Sequence, residues 1–172
     1  MDRDPQRIEA MFGGIVGRYD LMNRLMTLGL DGGWRRLAAA QAALRPGDEA
    51  LDVCCGTGDL AFSLVDACPD CGVTALDFTP AMLTRARQKA AARAGRGLPA
   101  PRDFVEGDLL ALPFASGRFA AVTVGWGVRN VPDVGLAFRE MTRVTRPGGR
   151  VVCLESTMAE GAGAWVQRLW MG

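Results

Sequence analysis

The run Leu51-Asp52-Val53-Cys54-Cys55-Gly56-Thr57-Gly58-Asp59-Leu60-Ala61 constrains this chain more than any other. Its apolar start predicts a buried strand, its glycines a tight turn, and Asp59 onward the first turn of a helix. A second apolar run closes on Leu76-Asp77. A glycine loop between strand and helix, followed about 20 residues on by an acid at the end of the next strand, is how an open α/β sheet holds a nucleoside. Glycine lets the backbone approach the ligand, and the acid accepts from the ribose hydroxyls.

The loop fits two ligand classes. Gly56-x-Gly58-x-x-Ala61 satisfies the loose dinucleotide pattern, in which a helix N-terminus receives a pyrophosphate. It equally fits the loop of enzymes that bind S-adenosylmethionine, which carries no phosphate. Asp52 favours the second class, because a carboxylate repels a pyrophosphate but suits a sulfonium and an amino group. A glycine turn with no ligand is the plain alternative. Asp52 and Asp77 in register weigh against it.

At 172 residues one domain is expected, large enough for a core, and the apolar share of 49% is that of a globular chain. A net charge of +1 gives no electrostatic case for nucleic acid. Of the twenty basic residues Lys89 is the only lysine, a skew that reads as genome composition. Met1-Asp2-Arg3-Asp4 is polar with no apolar run behind it, unlike a signal peptide. No stretch approaches the roughly 18 apolar residues of a membrane span. Five cysteines without an export signal are expected to be reduced thiols in the cytoplasm. Cys68-Pro69-Asp70-Cys71 is a lone C-x-x-C, expected to be two thiols at a helix-to-strand turn. With no His and no second Cys pair, no metal is expected.

The pattern along the chain predicts alternating elements. Met11, Ile15, Met22, Leu25, Met26 and Leu30 recur at helical spacing, interrupted by Gly13-Gly14 and Gly29. Trp34 to Leu44 reads as a further helix, ended by Pro46-Gly47. Strands are expected over Glu49–Val53, Val73–Leu76, Asp103–Glu106, Phe119–Gly125 and Arg150–Glu155. Helices are expected over Asp59–Ala67, Pro80–Ala94 and Val134–Thr145, with Thr79 capping the second of these and a tight turn at Arg146-Pro147-Gly148-Gly149. Alternation of this kind gives an α/β fold, a parallel five-stranded sheet with helices on both faces. The division is a helical cap over 1–45 and a ligand-binding domain over 46–172, together one structural unit.

Four further segments carry a family resemblance: Phe12-x-x-Ile15-x-x-Arg18-Tyr19-Asp20-x-x-Asn23, Gly107-Asp108-x-x-x-Leu112-Pro113-Phe114, Gly125-Trp126-Gly127-Val128-Arg129-Asn130-Val131, and Glu140-Met141-x-Arg143-Val144-x-x-Pro147-Gly148-Gly149-Arg150. With the glycine loop, they resemble the UbiE/MenG family of quinone C-methyltransferases from about Met11 to Glu155. The resemblance implies a Rossmann-like class I methyltransferase fold with strand order 3-2-1-4-5. It implies S-adenosylmethionine as donor and a ring carbon of a polyprenylated hydroquinone, in menaquinone or ubiquinone biosynthesis, as acceptor. Carried over by position, Gly56, Thr57, Gly58, Asp77, Asp108, Leu109 and Gly125 bind the donor, and Asp52, by its charge, and Phe78, beside Asp77, are expected to join them. Tyr19 and Trp126 meet the substrate. Family members continue through two more strands and a helix, whereas this chain ends at Trp170-Met171-Gly172, so the last two strands of the family fold are expected to be absent. Strand five is then expected at an apolar edge prone to self-association, leaving the activity of the chain in question.

Methyl transfer from a sulfonium rests on alignment and exclusion of water. A hydroquinone carbon becomes nucleophilic when its neighbouring hydroxyl loses a proton, and the chain has no His to take it. Arg129 stays protonated and would stabilise the phenolate, Asn130 would orient the hydroxyl, and Asp20 and Glu155 are candidate bases. A membrane-peripheral location at the inner face and a homo-oligomer both fit such a lipid substrate. Three other readings remain: a methyltransferase of another small molecule, an inactive cofactor- or partner-binding module, and a nicotinamide oxidoreductase.

Overall fold

A computed structural model describes residues 24–155. Helix α1 (Asp31–Gln41) leads into strand β1 (Glu49–Val53), α2 (Asp59–Ala67), β2 (Gly72–Asp77), α3 (Pro80–Ala94), β3 (Asp103–Glu106), β4 (Phe119–Gly125), α4 (Val134–Val144) and β5 (Thr145–Leu154). Short 3₁₀ turns at Leu109–Ala111 and Val128–Asn130 follow β3 and β4. The strands form one sheet in the order β3-β2-β1-β4-β5, every neighbouring pair parallel. Strand order and element sequence agree with the expectation.

Period-two alternation sorts the central strand between two cores. Leu51 and Val53 point to one face, where they meet Val122, Val124, Met141 and Val144 under α4. Ala50 points to the other, with Ala39, Leu64, Val65 and Leu83 under α1, α2 and α3. Both faces of β1 are covered, so its side chains are fully buried after Glu49. Asp52 falls by the same alternation on the helix-rich face beside Ala50. That parity decides what it can touch.

Several boundaries move from the expected ones. Helix α1 starts at Asp31 because the Asp31 carboxylate pairs with Arg35 one turn on and accepts from the Thr27 hydroxyl, at 3.0 Å, giving the first turn a buried electrostatic anchor. Thr79 stands at the N-cap of α3 with extended backbone, but makes no side-chain cap bond; Pro80 sets the first turn instead. The Pro147-Gly148-Gly149 turn is absorbed into β5 as a register irregularity. Thr145 pairs with Phe119 and Arg150 with Ala121, and the residues between bulge out. Gly149 must be glycine there, since a Cβ would lie 2.7 Å from the Ala120 carbonyl oxygen. The expectation of five reduced thiols is corrected. Cys68 and Cys71 form a disulfide, their Cα atoms 5.4 Å apart, because the turn leaving α2 folds back at the start of β2. Cys54, Cys55 and Cys153 are free. Tyr19, Asp20 and the segment after Glu155 lie outside the described residues. Among the described residues no helix is long and apolar enough to cross a membrane.

Candidate active-site cleft

The carboxyl ends of the parallel strands open into a cleft of about 250 Å³. Such crevices bind ligands in open α/β sheets because adjoining connections diverge to opposite faces there. One wall is Leu76, Asp77, Phe78, Thr79 and Met82, from the end of β2 and the start of α3. A second is Gly107, Asp108, Leu109 and Leu110, after β3. The floor is Cys54 and Gly56, after β1. The far rim is Gly125, Trp126, Gly127, Asn130, Val131 and Pro132, after β4.

Asp77 organises this end of the sheet. Its Oδ2 accepts from the Gly56 N–H at 2.8 Å and its Oδ1 from the Thr79 N–H at 2.9 Å, so the carboxylate ties the glycine loop to the entry of α3. The carboxylate lies in the cleft lining, where it can also accept from a ligand hydroxyl. Burial raises its pKa above the ordinary carboxylate value, against the pull of the Gly56, Thr79 and Phe78 amides and the Thr79 hydroxyl.

The glycine loop spends two of its amide hydrogens internally. Gly56 N–H goes to Asp77, and Gly58 N–H goes to the Cys55 carbonyl at 2.8 Å. Thr57 is buried and turned from the cleft, its hydroxyl accepting from Lys89 Nζ at 3.2 Å. Gly58 has φ +90° and would set a Cβ 3.0 Å from the Phe62 ring. Its requirement is therefore backbone conformation and packing, and the expected donor contacts of Thr57 and Gly58 are not among the cleft-lining surfaces.

Asp52 also stands outside the lining. It is 1% exposed between the sheet and the helix-rich face, its Oδ1 accepting from Thr123 Oγ1 at 2.7 Å on the neighbouring strand. Its Oδ2 has no hydrogen-bond partner among the described residues. Loss of hydration pushes its pKa up to about 7, and the nearby Asp77 charge adds to the rise. An anion there acts on a ligand through space rather than by contact.

Of the residues expected at the site, Gly56, Asp77, Phe78, Asp108, Leu109, Gly125, Trp126 and Asn130 line the cleft. Arg129 does not. Its side chain is 55% exposed and pairs with Glu155 at 3.3 Å. Asp108 Oδ1 caps the 3₁₀ turn through Leu110 N–H at 2.8 Å, which fixes its wall. Trp126 holds φ +55°, a costly conformation for a bulky residue, and its N–H donates to the Leu154 carbonyl at 2.8 Å. Its ring meets Trp34, centroids 6.3 Å apart, and the Arg35 guanidinium at 5.1 Å. Cys54 was not singled out by the sequence. It has φ +51° and crosses under Gly127, where any Cβ would overlap the Cys54 side chain. Burial and the carboxylates of Asp77, Asp52 and Asp108 push its thiol far up, so it is a wall and not a nucleophile.

The Leu112-Pro113-Phe114 and Glu140-x-x-Arg143 motifs meet in space. Arg143 donates to the carbonyls of Leu112 at 2.9 Å and Phe114 at 2.8 Å, while Glu140 Oε2 accepts from Leu112 N–H at 2.9 Å. The pair clamps the end of the wall that carries Asp108 and Leu109. Pairing with Arg143 holds the Glu140 carboxyl below its ordinary range.

An open parallel sheet in this order, with a strand-end cleft built on a glycine loop and an acid, is the Rossmann-like fold of the S-adenosylmethionine methyltransferases. Solved structures agree. BH2331 of Bacillus halodurans, a candidate methyltransferase, superimposes with a TM-score of 0.63 at 28% identity, over 78% of this chain and 55% of that one. The [4+2]-cyclase SpnF does so with 0.66 at 28% identity, over 76% and 46%. This chain belongs to the ubiE/COQ5 methyltransferase family, whose profile it matches over residues 1–164. It is 45% identical to the demethylmenaquinone methyltransferase of Deinococcus radiodurans over 87% of its length, and 48% identical to that of Thermus thermophilus over 84%. The chain spans 60% and 64% of those two relatives.

The cleft fits the family's donor. It offers a buried carboxylate for a ribose, the apolar slot of Phe78, Met82 and Leu109 for a flat base, and Gly56 and Gly125 where a chain can lie against backbone. The buried, half-satisfied Asp52 beneath the loop suits a cation.

Proposed function

We propose that this chain forms the donor-binding part of an S-adenosylmethionine-dependent C-methyltransferase. The acceptor we propose is the ring carbon of a polyprenylated hydroquinone, in menaquinone biosynthesis, with a ubiquinone precursor as an alternative ring. The observation that carries the donor assignment is the internal use of the Gly56 and Gly58 amides. A pyrophosphate needs those donors free, whereas a sulfonium compound does not. The buried Asp52 carboxylate beneath the loop further opposes a pyrophosphate, whereas Asp77 suits the ribose of either ligand. The names borne by the relatives support the acceptor.

The donor brings an already activated methyl group, so the chain's own work is alignment, charge and dryness. Asp77 takes the ribose hydroxyls, and Phe78, Leu109 and Asp108 receive the base. Trp126, propped by Trp34 and Arg35, forms an apolar wall for the acceptor ring. Asn130 lies within the rim beside it, its amide group directed to the Trp126 carbonyl at 3.5 Å, and orients the ring hydroxyl. Arg129 supplies positive potential as that hydroxyl ionises, the phenolate replacing Glu155 as its counterion. Glu155, released from that pair, is the candidate proton acceptor within the described residues; Asp20 and Tyr19 are assigned to the acceptor side by the family motif alone. A location at the cytoplasmic face of the membrane follows from a lipid acceptor.

The test is methyl transfer to a demethylated naphthoquinol carrying a short prenyl tail. Methylated quinol and S-adenosylhomocysteine are expected in equal amounts. Donor binding without transfer to this or the benzoquinol ring would remove the acceptor and leave the donor assignment standing.

A further inference from the structure

Six of the eight large exposed apolar side chains among the described residues fall between Leu25 and Leu37. Within them Leu28 is 79% exposed, Leu30 58% and Leu37 61%. Helical spacing explains the grouping. Asp31, Arg35, Ala38, Ala39 and Ala42 share the face of α1 that is buried against α2 and the sheet. Leu30, Trp34 and Leu37 lie together on the outward flank, and Arg36 lies on the other. A contiguous apolar surface of this kind marks an interface.

The Arg36 side opens onto a second, basic concavity lined by Arg35, Arg36, Lys89, Arg93 and Arg96 with two carboxylates, Asp59 and Asp66. Lys89 and Arg35 are matched to Asp59, and Arg93 to Asp66. Arg36 and Arg96 form no ion pair among the described residues and are exposed. An apolar flank beside a cationic one, on a helix too short and too polar to span, is the pattern of a segment lying in a membrane interface. The same helix reaches the cleft, because Trp34 packs on the rim residue Trp126.

We propose that the outer face of α1 with its Arg36–Arg96 flank is a docking surface for an anionic lipid bilayer, seating the Trp126 rim at the level from which a lipid acceptor enters. The proposal rests on the reading of a lipid-tailed acceptor for its purpose, but its physical basis is the apolar and cationic juxtaposition alone. Leucines enter the acyl boundary, and the two arginines face headgroup phosphates. The attraction weakens as salt screens it.

Co-sedimentation with phosphatidylcholine vesicles, with and without phosphatidylglycerol, tests this without donor or acceptor, so its failure is separable from failure of methyl transfer. The chain is expected to bind the anionic vesicles and to be released by salt. Arg36→Glu with Arg96→Glu is expected to lower binding to anionic vesicles about tenfold or more. Leu28→Ser with Leu30→Ser and Leu37→Ser is expected to abolish it, with S-adenosylhomocysteine binding unchanged as proof of folding. In the wild-type chain, brominated lipid should quench fluorescence that Trp34→Phe removes. No vesicle binding by the wild type, or binding indifferent to both variants, overturns the proposal. So does a leucine variant that changes only the sedimentation of the free protein, which would assign the face to a second copy of the chain.

Discussion

The Asp77 carboxylate accepts from the Gly56 N–H at 2.8 Å across 21 residues of sequence. One side chain at the end of β2 therefore shapes the loop at the end of β1, and Gly56 and Asp77 act as one device. This bond fixes the glycine loop from within the fold, which lowers the ordering cost of binding.

Asp77→Ala removes the ribose acceptor and leaves the Gly56 and Thr79 amides unpaired in a buried setting. Donor binding is expected to weaken by roughly 1–3 kcal/mol. Calorimetric titration with S-adenosylhomocysteine measures it, and an unchanged affinity would show that the carboxylate serves only the loop.

Asp52 predicts a pH dependence. Its folded pKa, about 7, stands above the ordinary carboxylate value of 3.8, so folding favours the protonated form. The stabilisation is fully present below the unfolded value and is lost as pH rises through about 7. Asp77, shifted the same way, adds to the same slope. Asp52→Asn is expected to flatten the fall of Tm between pH 4 and 7, and the wild type alone should bind the cationic donor more tightly above pH 7 than below it. Parallel Tm profiles for the two proteins would contradict this.

The Glu140–Arg143 clamp predicts an effect at a distance from the cleft. Arg143→Lys keeps the charge but cannot hold the Leu112 and Phe114 carbonyls together, because an ammonium lacks the planar fork. Donor affinity should drop several-fold as the Asp108–Leu110 wall loosens, with hydrogen exchange accelerated at residues 107–114. Exchange unchanged in that stretch would leave the clamp without a role in the site.

Arg129→Ala is expected to lower turnover by roughly 10²–10³ while donor affinity holds, the scale for losing one electrostatic stabiliser. Steady-state kinetics beside calorimetry separate the two. A loss confined to donor binding would move Arg129 off the acceptor side.

Much of this architecture was legible in the chain. The run into Gly56, the acid at 77 and the alternation of apolar and helical segments placed the strands of a parallel sheet, because buried parallel strands and glycine turns leave strong local signals, while the strand order came from the family resemblance. The side to which each residue points was harder. Thr57 and Gly58 sit in the same motif as Gly56, yet the left-handed turn at Gly58 sends Thr57 toward Lys89 and away from the cleft. Cys54 enters the wall through a positive φ that no propensity announces. The clamp joins segments about 30 residues apart, and the Cys68–Cys71 disulfide depends on how sharply one turn closes. Asp52 was expected to bind the donor, and its place outside the cleft lining and its link to Thr123 needed the sheet register.

The most direct test of the donor assignment is a pair of calorimetric titrations of the same preparation, one with S-adenosylmethionine or S-adenosylhomocysteine and one with NAD. Because the Gly56 and Gly58 amides are already spent and the Asp52 carboxylate lies beneath the loop, saturable binding of the sulfonium compound and its product is expected, with no heat from NAD. Tight binding of NAD with no response to S-adenosylmethionine would contradict it.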